Sequence, residues 1–144
     1  MKKLILLAAV LLVAAVSCQK LQYPERSSDT SLSALKCFVN YTSDTGAKKT
    51  QEVNLLSGKT NMERGLISYT FPSGGIYNAE NLSQCRMEAT IPSTAVLEIT
   101  DEAGEGTGHG FFGLFDLCNQ TVYFRITAAD GTVKRYQLTC KLSN

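Results

Sequence analysis

The chain has 144 residues, and its 14 lysines and arginines nearly balance its 13 aspartates and glutamates, so the formal net charge is +1. Nucleic-acid binding needs clustered basic residues to neutralise phosphates, and here they are scattered among the acids, which excludes that class of protein. A chain of this length forms one domain that buries about two thirds of its unfolded surface and folds without a metal.

The first segment is typical of a secretory leader. Two lysines precede an uninterrupted apolar run from Leu4 to Val16, which Ser17 and Cys18 follow. A membrane-spanning helix needs about 20 apolar residues, so this shorter run predicts a cleaved signal peptide over residues 1–17. The AVSC sequence resembles the cleavage site of bacterial lipoproteins, which implies an acylated Cys18 that anchors the protein to a lipid bilayer. Cleavage by an ordinary signal peptidase is the alternative.

Residues 18–31 are predicted to form a flexible tether, because Gln19 to Ser31 is polar, contains a proline and three serines, and has no strand or helix period. The remaining part, residues 32–144, is the predicted folded domain.

Five cysteines are an odd number, and assigning Cys18 to lipid leaves an even set of four. These four are a redox device, a disulfide framework or buried thiols, and the lack of a CxxC motif argues against redox catalysis. The first and last strands of a sandwich often neighbour each other, which favours pairing Cys37 with Cys140 and leaves Cys85 for Cys118.

From Leu32 onward the apolar residues alternate with polar ones, which predicts half-buried strands. Turn-forming clusters at 43–49, 57–65 and 72–81 separate the strands, and only Asn78 to Gln84 could form a helical turn. We therefore predict an all-β fold, a single antiparallel β-sandwich of about seven strands. The predicted apolar faces are Leu35, Cys37, Val39 and Tyr41; Ile67, Tyr69 and Phe71; and Cys85, Met87, Ala89 and Ile91.

The last two strands predict a hairpin whose register follows from the length of its loop. A two-residue loop would turn the apolar face of the second strand toward water. A three-residue loop at 129–131 instead pairs Phe124 with Tyr136, and it requires Gly131 in the left-handed region. The inward residues are then Val122, Phe124, Ile126, Ala128, Tyr136, Leu138, Cys140 and Leu142.

The stretch YFRITAADGTVKRYQL in this hairpin resembles the closing strands of Ig-like and cadherin-like domains in Gram-negative surface lipoproteins. GLISYTFP (65–72) and NLSQCRMEATIPSTAVLEI (81–99) resemble the middle strands of that family. The resemblance implies an Ig-like sandwich and an accessory module of nutrient or glycan uptake.

Catalytic and metal-binding motifs are weak. The glycine-rich stretch GEGTGHGFFG (104–113) matches no phosphate-binding loop, so we interpret it as a flexible connection between strands. His109 lacks neighbours at ligand spacing, and Ser33 and Lys36, which match SxxK, would face opposite sides of a strand. We predict no enzyme activity, no metal and no cofactor.

Six residues are candidate binding residues. The hairpin register places Arg125 opposite Arg135, and this like-charge pair favours binding of an acidic partner or a sugar. The alternatives are that both arginines are solvated or that one of them forms an ion pair with Glu88 or Glu98. The aromatic candidates are Tyr77, Phe111, Phe112 and Tyr123.

These observations predict a non-catalytic, lipid-anchored module of the bacterial cell envelope that contacts another envelope protein or a glycan. The anchor is predicted to lie in the outer membrane, and the module faces either the periplasm or the cell surface. A small hydrolase would need a cleft with His109 near a carboxylate and a hydroxyl. A carrier of soluble ligands would need a hollow sandwich.

Overall fold

The computed structural model describes residues 25–144 and contains eight strands and two short helices. The predicted signal peptide, the acylation site Cys18 and the first part of the tether lie outside the described residues. The strands are β1 (Ala34–Thr42), β2 (Lys48–Asn54), β3 (Lys59–Asn61), β4 (Leu66–Phe71), β5 (Arg86–Thr90), β6 (Val96–Thr100), β7 (Val122–Thr127) and β8 (Val133–Leu142). A 3-10 helix covers Leu55–Ser57, and α1 covers Ala79–Leu82.

The strands form two sheets, which confirms the all-β prediction. One sheet has the order β2-β1-β5 and the other the order β3-β4-β8-β7-β6. Apolar side chains from both sheets form one core, whose largest buried members include Leu35, Phe71, Met87, Phe124 and Leu138. The alternating pattern therefore identified the inward faces.

One pair departs from the predicted antiparallel arrangement, because β4 and β8 are parallel, with Ile67 beside Leu138. A hairpin can join only antiparallel neighbours. Here the chain leaves β4, contributes β5 to the opposite sheet, and returns through β6 and β7 before it reaches β8.

The terminal hairpin has the predicted register, with Phe124 opposite Tyr136. The Ala128 amide donates to the Thr132 carbonyl at 2.8 Å, which closes the three-residue loop, and Gly131 has a φ of 91°. The predicted left-handed glycine is thus confirmed.

The start of β4 depends on a second left-handed glycine. Gly65 has a φ of +67°, and a Cβ added to it would overlap the Arg135 carbonyl oxygen on β8. Its own carbonyl accepts the Gln137 amide at 2.8 Å. Only a residue without a side chain allows β4 to approach β8 this closely.

The end of the predicted tether is attached to the domain. Ser27 accepts the Asp130 amide through its carbonyl at 3.1 Å, and the Tyr136 hydroxyl donates to the Thr30 carbonyl at 2.9 Å. Residues 27–31 therefore lie against the terminal hairpin, in contrast to the predicted flexible tether that extends to Ser31.

The four cysteines of the domain are free thiols in the structure. The proposed pairing of Cys37 with Cys140 depended on neighbouring first and last strands. In the structure β1 and β8 are not hydrogen-bonded neighbours, because they belong to different sheets. Cys37, Cys85 and Cys140 are buried in the common core, and Cys118 is half-buried at its edge.

Candidate functional site

The long connection between β6 and β7 carries two of the six candidate binding residues, Phe111 and Phe112, and backbone hydrogen bonds fix it at both of its parts. Its first part runs along the edge of β6, where Ile99 donates to the His109 carbonyl and accepts the Thr107 amide, both at 2.9 Å. Its second part reaches the residue that precedes β5, where Phe115 and Cys85 exchange two backbone hydrogen bonds of 2.8 and 3.0 Å.

Glu98 on β6 joins this connection to the outer face of the five-stranded sheet. Its Oε2 accepts from Arg125 Nη2 at 2.6 Å and from Nε at 3.0 Å, and its Oε1 accepts the Gly108 amide at 2.7 Å. The hydrogen bond from Arg125, followed by that from Gly108, lowers the pKa of this carboxyl below its ordinary value. Because β6 and β7 place Glu98 directly opposite Arg125, their side chains meet on one face.

The predicted arginine pair is therefore not a free anion site. Arg125 does lie opposite Arg135, but the guanidinium of Arg125 forms an ion pair with the Glu98 carboxylate. The guanidinium of Arg135 lies against Gly104, where an added Cβ would be 2.6 Å from its Cζ. The alternative of an arginine shared with Glu98 is confirmed for Arg125, while Glu88 lies 3.4 Å from Arg86.

Two of the repeated glycines are explained by these contacts. A Cβ on Gly106 would overlap the Glu98 carboxylate, and one on Gly104 would overlap the Arg135 guanidinium. The glycine-rich pattern thus lets charged side chains of the sheet pack directly on the backbone of the connection.

The two adjacent phenylalanines have opposite environments. Phe111 packs edge-to-face on Phe124, with centroids 5.1 Å apart, and on Phe115 at 5.9 Å. Phe112 is 78% exposed, and Leu114 is 61% exposed. We call Phe112 and Leu114 the apolar pair. Leu114 was not among the predicted residues, because the sequence FFGLF (111–115) has no polar and apolar alternation that would separate inward from outward side chains.

The two candidate tyrosines lie elsewhere and do not contribute to the apolar pair. Tyr77 packs on the buried Phe71, with centroids 5.5 Å apart, and partial burial raises the pKa of its hydroxyl. Tyr123 is half-buried on the outer sheet face, beside Gln137 on β8. The six predicted binding residues therefore do not form a single site.

A separate trough of about 490 Å³ lies on the outer face of β3, β4 and β8. Its exposed lining is mainly apolar, with amide, hydroxyl and ammonium groups among it. The trough was not predicted, because it depends on the pairing of β4 with β8. Its principal residues are Lys59, Asn61, Leu66, Ser68, Gln137 and Thr139.

The single histidine is held by its neighbours. His109 is exposed, and its Nδ1 lies 3.1 Å from the Gly110 carbonyl oxygen. Across residues 25–144, no group of three or more histidine, cysteine or acidic side chains is arranged to hold a metal ion. In the same part of the chain, no helix is long and apolar enough to cross a membrane.

No protein-family model matches the chain, and no curated protein matches it. The chain is similar to the crystal structure of a "putative secreted protein" from Bacteroides fragilis NCTC 9343, with 19% identity and a TM-score of 0.49, over 81% of this chain and 98% of that one.

Proposed function

We propose that this protein is a lipid-anchored, non-catalytic module of the cell envelope that binds another envelope protein through the apolar pair. The observation that carries this proposal is the exposure of Phe112 and Leu114, at 78% and 61%, on one short segment. Exposed apolar surface that is contiguous commonly marks a site where a partner binds.

The segment is also suited to present these side chains in a fixed position. Phe111 and Phe115 alternate with the apolar pair along the chain. Phe115 is buried in the core, and Phe111 packs at its rim. Phe115 is further fixed by its backbone bonds to Cys85. A binding residue whose flanks are already ordered loses less conformational entropy when it binds.

A protein partner fits this pair better than a sugar does. Aromatic anchors that enter an apolar pocket dominate the affinity of protein interfaces. The branched aliphatic side chain of Leu114 has no group that could bond a sugar hydroxyl.

The envelope location and the finer fold class are part of the proposal. The charged, apolar and small-residue order before Cys18 supports export and acylation at that cysteine. The alternating strands and the terminal hairpin support an Ig-like sandwich as the folded domain.

The test uses a photocrosslinking amino acid in the full-length chain in its native cells. Placed at Phe112, it should give one discrete adduct whose yield falls in a Leu114→Ala background. The same group at Glu63, an exposed residue on another loop, is the control. Equal adducts at both positions, or none at Phe112, would exclude the apolar pair as the binding site. Loss of the acyl mass in Cys18→Ser tests the anchor separately.

A second candidate function, glycan binding, is favoured by the trough on β3, β4 and β8, where polar groups lie beside apolar surface. Asn61, Gln137 and Thr139 offer the amide and hydroxyl groups that bond sugar hydroxyls. Titration of envelope polysaccharides should then give a heat signal that Gln137→Ala removes and Phe112→Ala leaves unchanged. A signal that neither substitution alters would exclude the trough as the glycan site.

A further inference from the structure

The edge of the three-stranded sheet has backbone groups that no other described strand pairs. β2 is a seven-residue strand at the end of the sheet, and β1 is its only neighbour. The Ser43 amide donates to the Ala47 carbonyl at 2.9 Å. Ala47 and every second residue after it in β2 therefore direct their backbone N–H and C=O groups toward β1. Backbone groups alternate in direction along an antiparallel strand, so the N–H and C=O groups of Lys48, Thr50 and Glu52 point away from β1, toward the free edge of the sheet.

The carbonyl of Glu52 illustrates this direction. It accepts a hydrogen bond from the Gln51 side chain at 3.0 Å. A neighbouring side chain thus takes a position that a partner strand would occupy. An unpaired edge of this kind is a template for a further strand.

In one symmetric register, two copies of β2 would place opposite charges beside each other along this free edge. Two antiparallel copies of β2 related by a twofold axis at Thr50 place Lys48 opposite Glu52 at both ends. A shift of the axis toward either end places Lys48 opposite Lys48, Lys49 opposite Lys49, or Glu52 opposite Glu52, or leaves Lys48 opposite the neutral Asn54. Opposite charges on facing residues stabilise a sheet and like charges destabilise it.

We propose that two copies of this chain associate through β2 in this register. Their three-stranded sheets then form one continuous sheet of six strands, with about six new backbone hydrogen bonds. This surface is separate from the apolar pair, so the inference does not depend on the proposed function.

The lysines of β2 decide which partner fits. Lysine on an edge strand normally prevents pairing, because a second strand brings like charges together. In the proposed register each Lys48 instead meets the Glu52 of the second copy. The Glu52 carboxylate already binds Lys36 at 2.6 Å on the outer face, so it lies on the side where Lys48 of the second copy arrives.

Single cysteine substitutions test the register, because only a residue on the twofold axis meets its own copy. In the full-length chain under mild oxidation, Thr50→Cys should give a disulfide-linked dimer, since facing Cα atoms lie about 5.5 Å apart. Lys48→Cys is the matched control, because its two copies would lie about 14 Å apart along the strands. Both side chains are exposed, so neither change disturbs the core.

Dimer formation above the wild-type level by Thr50→Cys alone is the expected result. Equal yields from both variants, or a yield from Thr50→Cys no higher than the wild type, would overturn the proposal. A mixture of Lys48→Cys and Glu52→Cys chains should in turn give the mixed dimer.

Charge exchange provides a test that does not use cysteine. Lys48→Glu and Glu52→Lys should each weaken self-association at least about tenfold, because both facing pairs become like-charged. When the two variants are mixed, the facing pairs are opposite again, so sedimentation should show a mixed dimer at the wild-type concentration range. Failure of the mixture to associate would also overturn the proposal.

Discussion

Substitution of Gly65 by alanine tests the close approach of β4 to β8. Two separate costs apply at this position. Any L-residue in the left-handed region costs about 1–2 kcal/mol, of which the lower entropy of the unfolded alanine chain returns about 0.4–1 kcal/mol. In addition, the new Cβ would overlap the Arg135 carbonyl oxygen, which belongs to the backbone of a central strand. Overpacking of this kind costs about 1–3 kcal/mol, so Gly65→Ala should destabilise the fold by about 2–4 kcal/mol.

Gly46→Ala is the matched control. Gly46 has a φ of +80°, comparable to the +67° of Gly65, but an added Cβ would have no atom within 4 Å. Its substitution should therefore cost only about 1 kcal/mol, the backbone term. Urea denaturation of the full-length chain, followed by circular dichroism, measures both variants against the wild type. If the two alanine variants lose the same stability, β4 does not approach β8 as described.

Three further predictions address the connection, the tether and the thiols. Glu98→Gln should speed hydrogen exchange of the Gly108 amide at pH 7. Because folding lowers the pKa of Glu98, its contribution is complete above the ordinary carboxyl value of 4.5 and is lost as the pH falls through the lower folded value. The difference in melting temperature between wild type and variant should accordingly shrink in acid, and a difference independent of pH would contradict this role. Tyr136→Phe removes the hydrogen bond to Thr30 and should cost about 1 kcal/mol, with faster proteolysis between residues 27 and 31; unchanged cleavage would argue against the docked segment. Burial raises the pKa of Cys85 to about 11 and of Cys140 to about 12, so under reducing conditions at pH 8 iodoacetamide should modify the half-buried Cys118 before the buried thiols, and simultaneous modification would contradict the described core.

The local parts of the fold could be predicted because they depend on periods and loop lengths. The register of β7 and β8 followed from the apolar alternation and from one glycine, Gly131, in a short loop. The parallel contact of β4 with β8 could not be obtained in this way. More than sixty residues separate the two strands, and no local pattern encodes which distant edges meet.

The candidate site was predictable to a similar extent. The sequence placed Arg125 opposite Arg135, and it indicated that a carboxylate could lie between them. It did not identify Glu98 over Glu88, because that choice depends on β6 being the neighbour of β7. It also did not separate Phe111 from Phe112, since only the path of the connection decides which ring enters the core.

The docked segment before β1 has a mechanical consequence. A pull along the chain from its N-terminal side reaches the carbonyls of Ser27 and Thr30 before it reaches β1. The two bonds lie at successive points along the segment, so the load reaches them one after the other. Tension on the N-terminal side is therefore borne by these two contacts before it reaches the strand pairs of β1.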